Sequence, residues 1–110
     1  MTSIIVRIDT APLPSMQAVA RIQHIVAEAY GLDPRVMRAP ARGRSVSWPR
    51  QVAMYLTRKT TANSLPNIGH LFGDRDHTTV MWAIHAVEHR METIPFYRDD
   101  VEELRERLSQ

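Results

Sequence analysis

Apolar residues recur at helical spacing in the second half of the chain, and the clearest run lies between residues 76 and 91. Its members are Val80, Ala83, Ile84, Val87 and Met91, at positions i, i+3, i+4, i+7 and i+11. Such spacing aligns the apolar side chains in one stripe along a helix and leaves the other side polar. The pattern therefore predicts an amphipathic helix that begins near Asp76 and packs its stripe into a core.

The same spacing predicts a helix near the start of the chain, from Ser15 to Tyr30. Ser15 is a suitable N-cap residue, and Gly31 stands where a helix ends in the left-handed conformation. The apolar positions between them are Ile22, Ile25, Val26 and Ala29. Pro34 then marks the start of a short helical turn, and residues 39–45 have the Pro and Gly of a loop.

Two further helices are predicted from a serine that shortly precedes a proline, because proline is tolerated in the first turn of a helix. Ser47 would cap a helix with Pro49 in its first turn, and Ser64 would cap a short helix with Pro66 in the same place. The buried positions predicted for the longer of the two are Val52, Ala53, Tyr55 and Leu56. Gly73 would end the shorter one.

A last helix is predicted after Pro95, with packing positions at Phe96, Val101, Leu104 and Leu108. Residues 1–14 are predicted to be an N-terminal tail, in which SIIVRI would form at most a short strand before Pro12. Residues 15–110 would then form one all-α domain. The predicted core residues are Ile25, Leu56, Ile68, Val80, Ile84 and Val87.

Composition narrows the class of protein. The chain has 110 residues, 44% of them apolar and only 6% aromatic, which favours one small helical domain. It has no cysteine, so disulfides and thiolate metal sites are excluded and a cytoplasmic location fits. No apolar run approaches the roughly 18 residues of a membrane span, and the first residues make a poor signal peptide.

Charge is distributed unevenly, although the formal net charge is only +2. Residues 34–73 contain no acid, and their basic residues are Arg35, Arg38, Arg42, Arg44, Arg50, Arg58 and Lys59. From Glu88 onward seven acids outnumber four arginines. A basic middle segment suits a polyanion such as nucleic acid, but a solvated basic surface without a partner gives the same pattern.

The segment FGDRDHTTV, residues 72–80, joins the short helix to the amphipathic one and predicts a helix-turn-helix. In such a unit the second helix places its N-terminal residues in the major groove of DNA. A 100° helical wheel turns Thr78 away from the apolar stripe, with Thr79 and Asp76 beside it and His77 nearer the core. Hydroxyl, carboxylate and imidazole groups are all able to read base edges.

Helix capping alone is the alternative for these residues, because Asp76 or Thr78 would satisfy free N–H groups at a helix start without any DNA. The surrounding arginines favour the DNA-binding interpretation, since capping does not require them. These arginines are Arg42, Arg44, Arg50 and Arg75.

The motifs GRSVSWPRQVAMYL and SLPNIGHLFGDRDHTTV, in this order and spacing, resemble the C-terminal DNA-binding domain of the bacterial replication initiator DnaA. The resemblance extends from about Ala20 to the C-terminus. It implies an all-α, Trp-repressor-like helix-turn-helix domain that binds an AT-rich nine-base-pair box on double-stranded DNA. The implied role is regulation of replication initiation or transcription, in the cytoplasm at the nucleoid.

The resemblance also implies roles for individual residues. Base contacts in the major groove are implied for Leu65, Pro66, Asp76, His77, Thr78 and Thr79, and a minor-groove contact for Arg42. Phosphate contacts are implied for Arg44, Arg50, Arg58, Ser64 and Arg75. Phosphate contacts set the register of a protein on DNA, whereas base contacts set its sequence preference.

The sequence departs from the family at three places. Asp74 replaces the second glycine of the usual FGGRDHTT, in a turn where aspartate tolerates the left-handed conformation better than most residues. Pro40 and Ala41 reduce the charge of the basic loop. Trp82 replaces a smaller polar residue, and contact with sugar-phosphate, contact with a partner or packing on the last helix are all open to it.

The chain contains no GxxxxGK[ST] phosphate loop, so the nucleotide chemistry of the family does not carry over to it. We therefore expect a stand-alone DNA-binding domain without the ATPase, without enzymatic activity and without a cofactor or ATP.

Two alternatives belong to other classes of function. HAVEH, residues 85–89, matches an inverted zinc-protease pattern, with His85 and His89 on one helix face. A catalytic site also needs a third ligand, an open position and a cleft, and only 21 residues follow this segment. A protein-interaction module would use Trp82 or the acidic C-terminal helix. Neither alternative accounts for the ordered motifs of the central segment.

Overall fold

The computed structural model describes residues 14–40 and 43–110, and within these ranges the regular structure is entirely helical. Its elements are α1 (Pro14–Ala29), a 3₁₀ turn (Pro34–Met37), α2 (Arg44–Thr60), α3 (Leu65–Leu71), α4 (His77–Thr93) and α5 (Pro95–Leu108). The all-α class predicted from the sequence is confirmed. None of the helices in the described ranges combines the length and the apolar character needed to cross a membrane.

The start of α1 differs from the prediction, whereas its end is set by the predicted residue, Gly31. The helix already includes Pro14, so Ser15 lies in its first turn and is not its N-cap. At the C-terminal end Gly31 follows in the left-handed region, and the N–H of Leu32 donates to the carbonyl of Ala27 at 2.8 Å. This is the Schellman arrangement expected of a C′ glycine. Of the predicted tail, residues 1–14, Pro14 belongs to α1, and residues 1–13, with the predicted strand, lie outside the described residues.

The start of α2 differs from the prediction. The helix begins at Arg44, and Gly43, not Ser47, is its N-cap residue. The carbonyl of Gly43 accepts hydrogen bonds from the N–H groups of Val46 at 3.1 Å and Ser47 at 2.8 Å, so the helix starts four residues earlier than predicted. Pro49 therefore lies inside the helix, where it leaves one backbone carbonyl without its usual donor.

The centre of α2 is the middle of the core. Six consecutive residues, 52–57, are buried, so this part of the helix is surrounded on all sides. A helix buried all round needs its polar groups bonded internally, and the hydroxyl of Thr57 donates to the carbonyl of Ala53 at 2.7 Å. Among the predicted core residues, Leu56, Ile68, Val80, Ile84 and Val87 are buried and Ile25 is partly buried against them.

Packing of α5 corrects one prediction. Val101 and Leu104 are buried as predicted and Leu108 is partly buried, but Phe96 is 70% exposed. Five residues separate Phe96 from Val101, which turns its side chain about 140° away from the buried stripe. Tyr97, one residue later, points inward instead and meets the ring of Trp48 edge-on, with ring centroids 5.0 Å apart.

Hydrogen bonds between distant segments join α5 to the rest of the domain. The guanidinium of Arg21 in α1 donates to the carbonyls of Leu108 at 2.6 Å and Gln110 at 3.0 Å, so it satisfies the C-terminal end of α5. The hydroxyl of Tyr30 donates to Asp100 at 2.6 Å. Burial and this neighbouring carboxylate raise the pKa of Tyr30, which stays protonated.

Ile84→Ala is expected to lower the free energy of unfolding by on the order of 2–5 kcal/mol, because truncation of this buried side chain leaves a cavity. Phe96→Ala is the matched control, since its exposed ring leaves no cavity and the change should stay within about 0.5 kcal/mol. Chemical denaturation of both variants measures the difference. Equal stability of the Ile84→Ala variant and the unmodified protein would place Ile84 outside the core.

Candidate nucleic-acid interface

Two helices meet almost backbone to backbone where α3 turns into α4. The N–H of Arg75 donates to the carbonyl of Gly69 at 2.8 Å. A Cβ atom at Gly69 would overlap the carbonyl oxygen of Arg75, so only glycine permits this approach. The contact makes α3, the turn and the start of α4 one unit, which is the predicted helix-turn-helix.

The turn contains two successive residues in the left-handed region, Gly73 with φ 87° and Asp74 with φ 57°. Aspartate tolerates this conformation because its short carboxylate bonds locally. Here one carboxylate oxygen of Asp74 lies 2.7 Å from Nδ1 of His70, one helical turn earlier. The expectation that the turn keeps its shape with an aspartate in place of the second glycine is confirmed.

Asp76 is the N-cap residue of α4. Its carboxylate accepts hydrogen bonds from the hydroxyl of Thr78 and from the N–H of Thr78, the latter at 3.1 Å. These two hydrogen bonds, the side-chain bond first, hold the pKa of Asp76 below its usual value. Capping is therefore real, and it fixes the orientation of Thr78 at the surface.

All four predicted readers at the start of α4, residues 76–79, are exposed. The helical wheel was wrong for His77, whose side chain is 56% exposed with Nδ1 3.5 Å from a carboxylate oxygen of Asp76. A helical wheel gives only the direction of a side chain, and at His77, the first residue of α4, the side that is buried further along the helix is still exposed. The turn thus presents a carboxylate, an imidazole and two hydroxyls side by side.

Residues at the start of α3 flank this turn. Ser64 caps α3 by accepting from the N–H of Asn67 at 3.2 Å. Pro66 is exposed and Leu65 is partly buried against the core, so Pro66 presents an apolar surface to solvent. Arg58, at the end of α2, is exposed and donates to the carbonyl of Asn63 at 2.9 Å.

Two of the predicted phosphate contacts, Arg50 and Arg75, are directed into the domain. The guanidinium of Arg50, only 7% exposed, donates to the carbonyls of Val36 at 2.7 Å and Ala39 at 3.3 Å. That of Arg75 donates to the carbonyls of Ala39 at 2.7 Å and Phe72. Burial lowers the pKa of both, and for Arg50 the charge of Arg75 lowers it further. No sequence signal indicated these carbonyl partners.

The remaining basic residues of the predicted site are only partly described. Arg42, the predicted minor-groove residue, lies outside the described residues. Arg44 is the first residue of α2, and its side chain is outside the description as well. Their roles remain predictions.

Trp82 is 67% exposed and does not pack on α5. Its ring meets that of His85 edge-on, with centroids 6.0 Å apart. Together with Thr79, Arg75 and Gln51 it lines an open groove of about 490 Å³ between α2 and α4. The groove begins at Thr79, beside the exposed turn. The sequence did not indicate that the ring of Trp82 would line a groove next to the predicted readers.

His85 and His89 were the only candidate metal ligands in the sequence. Within residues 14–40 and 43–110, no group of three histidine, cysteine, aspartate or glutamate side chains comes together to hold a metal ion. The inverted zinc-protease pattern thus acquires no third ligand from the described part of the fold.

Comparison with known proteins gives a consistent result. Residues 19–87 match the family model described as bacterial DnaA protein helix-turn-helix. The chromosomal replication initiator protein DnaA of Chloroflexus aggregans is 46% identical over 87 residues, which are 79% of this chain and 18% of that protein. DnaA of Symbiobacterium thermophilum is 39% identical over 95 residues, 86% of this chain and 21% of that protein.

The fold has a solved counterpart. A crystal structure of a DNA replication initiation factor superposes with a TM-score of 0.77 and 30% sequence identity, covering 86% of this chain and 29% of that one. The chain spans about a fifth of the length of the curated relatives it matches. The matched family is a helix-turn-helix, a binding unit and not a catalytic domain.

Asp76→Asn is expected to flatten the dependence of stability on pH. A carboxylate whose pKa is lowered by folding stabilises the fold above its unfolded pKa of about 4, and this contribution is lost as pH falls through the lower folded value. Asparagine keeps an oxygen that accepts the capping hydrogen bond but does not titrate. Melting temperatures from about pH 5 to about pH 2 should therefore fall less in the variant.

Asp99→Asn is the control for that experiment, because Asp99 is an exposed aspartate of α5 that caps no helix. The same dependence of melting temperature on pH in Asp76→Asn and the unmodified protein would show that ionisation of Asp76 does not stabilise the fold.

Proposed function

The chain belongs to the bacterial DnaA helix-turn-helix family, and on this basis we propose that it binds double-stranded DNA at AT-rich, DnaA-box-like sites. The observation that carries the proposal is the exposed polar turn at residues 76–79, held in place by the backbone contact between Gly69 and Arg75. A buried or irregular turn would not reach base edges. A rigid, exposed turn enters a major groove without reorganising.

Asp76, His77, Thr78 and Thr79 are the proposed major-groove readers. A threonine offers its methyl to the methyl of thymine, an aspartate accepts from N4 of cytosine, and a histidine donates or accepts. The carboxylate of Asp76 already holds Thr78, so one oxygen is committed to the cap, and the other lies 3.5 Å from Nδ1 of His77. The cap at Asp76 therefore holds Thr78 in one position relative to the helix.

Apolar and minor-groove contacts complete the proposed recognition of AT-rich sequence. Pro66 and Leu65, at the start of α3, are proposed to meet thymine methyls, and the exposure of Pro66 supports this. Arg42 is proposed to enter the adjacent minor groove, which is narrow in AT-rich DNA and attracts guanidinium groups.

Phosphate contacts are proposed for Arg44, Arg50, Arg58, Ser64 and Arg75. Arg58 is the best supported of these, since it is exposed next to the cap of α3. Arg50 and Arg75 already donate to carbonyls inside the domain, and a phosphate contact would add to these hydrogen bonds. Contacts of this kind bind any sequence and set the register.

The biological role proposed is control of replication initiation, or of transcription near initiator boxes, at the nucleoid in the bacterial cytoplasm. A protein partner is a second candidate, favoured by the exposed rings of Trp82 and Phe96. Trp82→Ala separates the two: loss of DNA affinity assigns this ring to DNA, and unchanged affinity leaves it to a partner.

A gel shift with an AT-rich nonamer duplex against a scrambled duplex of the same composition tests the proposal directly. Tighter binding to the nonamer is expected. Equal binding to both duplexes would reduce the function to non-specific DNA binding, and no binding at about 50 mM salt would contradict it.

Thr78→Ala and His77→Ala are each expected to weaken binding to the nonamer by roughly 1–3 kcal/mol, the usual contribution of a base contact. Affinity for scrambled duplex should stay nearly unchanged, because phosphate contacts remain. Paired titrations at one salt concentration measure both. Thr78→Ser is the matched control, since it keeps the hydroxyl that donates to Asp76 and loses only the methyl. Equal losses on both duplexes would leave the turn as a cap alone.

Arg58→Ala is expected to weaken binding to both duplexes by the same factor. The slope of log K against log salt should become shallower by roughly one unit, because one phosphate contact is lost. Arg98→Ala, an exposed arginine of α5 outside the proposed interface, is the control and should leave the slope unchanged. An unaltered slope in Arg58→Ala would remove Arg58 from the interface.

A further inference from the structure

The segment that enters the basic loop is fixed to the turn of the helix-turn-helix. This segment, residues 36–39, is here named the loop stem. The carbonyl of Ala39 accepts from Arg75 in the turn at 2.7 Å and from Arg50 in α2 at 3.3 Å. The carbonyl of Val36 accepts from Arg50 at 2.7 Å. Two guanidinium groups from different elements therefore hold one short stretch of backbone.

A steric contact adds to these hydrogen bonds. Gly73 lies directly against the loop stem, and a Cβ atom there would overlap the carbonyl oxygen of Arg38 and approach Nη1 of Arg75 to 2.9 Å. The turn and the stem are therefore packed without room for a methyl group. Any side chain at residue 73 must push the stem away from the turn.

The preceding end of the basic loop is consequently attached to the turn. The stem ends one residue before Pro40, and α2 starts at Arg44 after its N-cap Gly43. The contacts of Arg75 and Gly73 therefore act on the part of the chain that directly precedes the loop.

We propose that Arg75 is a positioning residue that, with Gly73 and Arg50, holds the loop stem, which leads into the proposed minor-groove loop, at a set distance from the major-groove helix. This inference rests on the proposed function, and it adds a specificity role to a residue expected only to contact phosphate. The planar fork of arginine suits the task, since Arg75 reaches the carbonyls of Ala39 and Phe72 with separate nitrogens.

Arg75→Lys separates positioning from charge. Lysine keeps the positive charge available to a phosphate but has no fork to hold two carbonyls. We expect the preference for the AT-rich nonamer over scrambled duplex to fall on the order of tenfold, with the salt slope unchanged. A phosphate contact alone predicts the opposite, namely retained preference with lysine and a shallower slope only with Arg75→Ala.

Gly73→Ala moves the stem without altering any charge and should reduce the same preference. Gly31→Ala is its matched control, because Gly31 also has a positive φ, 69° against 87°, but a Cβ atom there meets nothing within 4 Å. It introduces comparable backbone strain and leaves the stem in place, so its preference should equal that of the unmodified protein. If Gly73→Ala shows no cooperative thermal unfolding, the nonamer preference of Arg75→Lys tests the proposal without it.

Arg42→Ala, made in the unmodified protein and in Arg75→Lys, completes the experiment. Positioning predicts that Arg42→Ala loses much of its effect in the Arg75→Lys background, because a displaced loop no longer places Arg42 correctly. Independent, multiplicative effects, or full nonamer preference in Arg75→Lys, overturn the inference while the proposed function stands. An unmodified protein without nonamer preference overturns both.

Discussion

The arrangement of the recognition surface depends on one backbone contact, the approach of Gly69 in α3 to the peptide of Arg75. A hydrogen bond and the absence of a side chain at Gly69 bring the turn closer to α3 than any other residue at position 69 would allow. From this contact follow the direction of α4 and the burial of Val80 beneath the turn. Arg75 and the exposed readers, residues 76–79, follow one another directly at this contact.

Capping and recognition use the same residues here, and the two roles support each other. The carboxylate of Asp76 satisfies the N–H of Thr78 and orients its hydroxyl, which removes rotamer freedom before any partner arrives. A reader that is already ordered loses less entropy on binding than a free side chain. Helix capping, which was the alternative to DNA recognition, orders the side chain of Thr78 that we propose for recognition.

The arginines divide into two groups although the sequence presents them as one basic segment. Arg50 and Arg75 turn inward to backbone carbonyls, whereas Arg58 remains at the surface. Local sequence does not separate the groups, because the accepting carbonyls of Val36 and Ala39 belong to another part of the chain. A buried guanidinium needs such acceptors, and only the folded chain supplies them.

By itself the sequence determined the helices, the caps at Ser64 and Asp76 and most of the core, because helical periodicity and capping are local. It also carried the family resemblance, through motifs whose order is a property of the chain. Only the tertiary structure decided that Gly43 starts α2, that Phe96 is exposed and that the loop stem is held against the turn. The contact of the loop stem joins Ala39 to Arg75, 36 residues apart, and local periodicity contains no information about such contacts. The start of α2 and the exposure of Phe96 depend on where each helix begins and which of its sides faces the core, and residue spacing alone leaves both open.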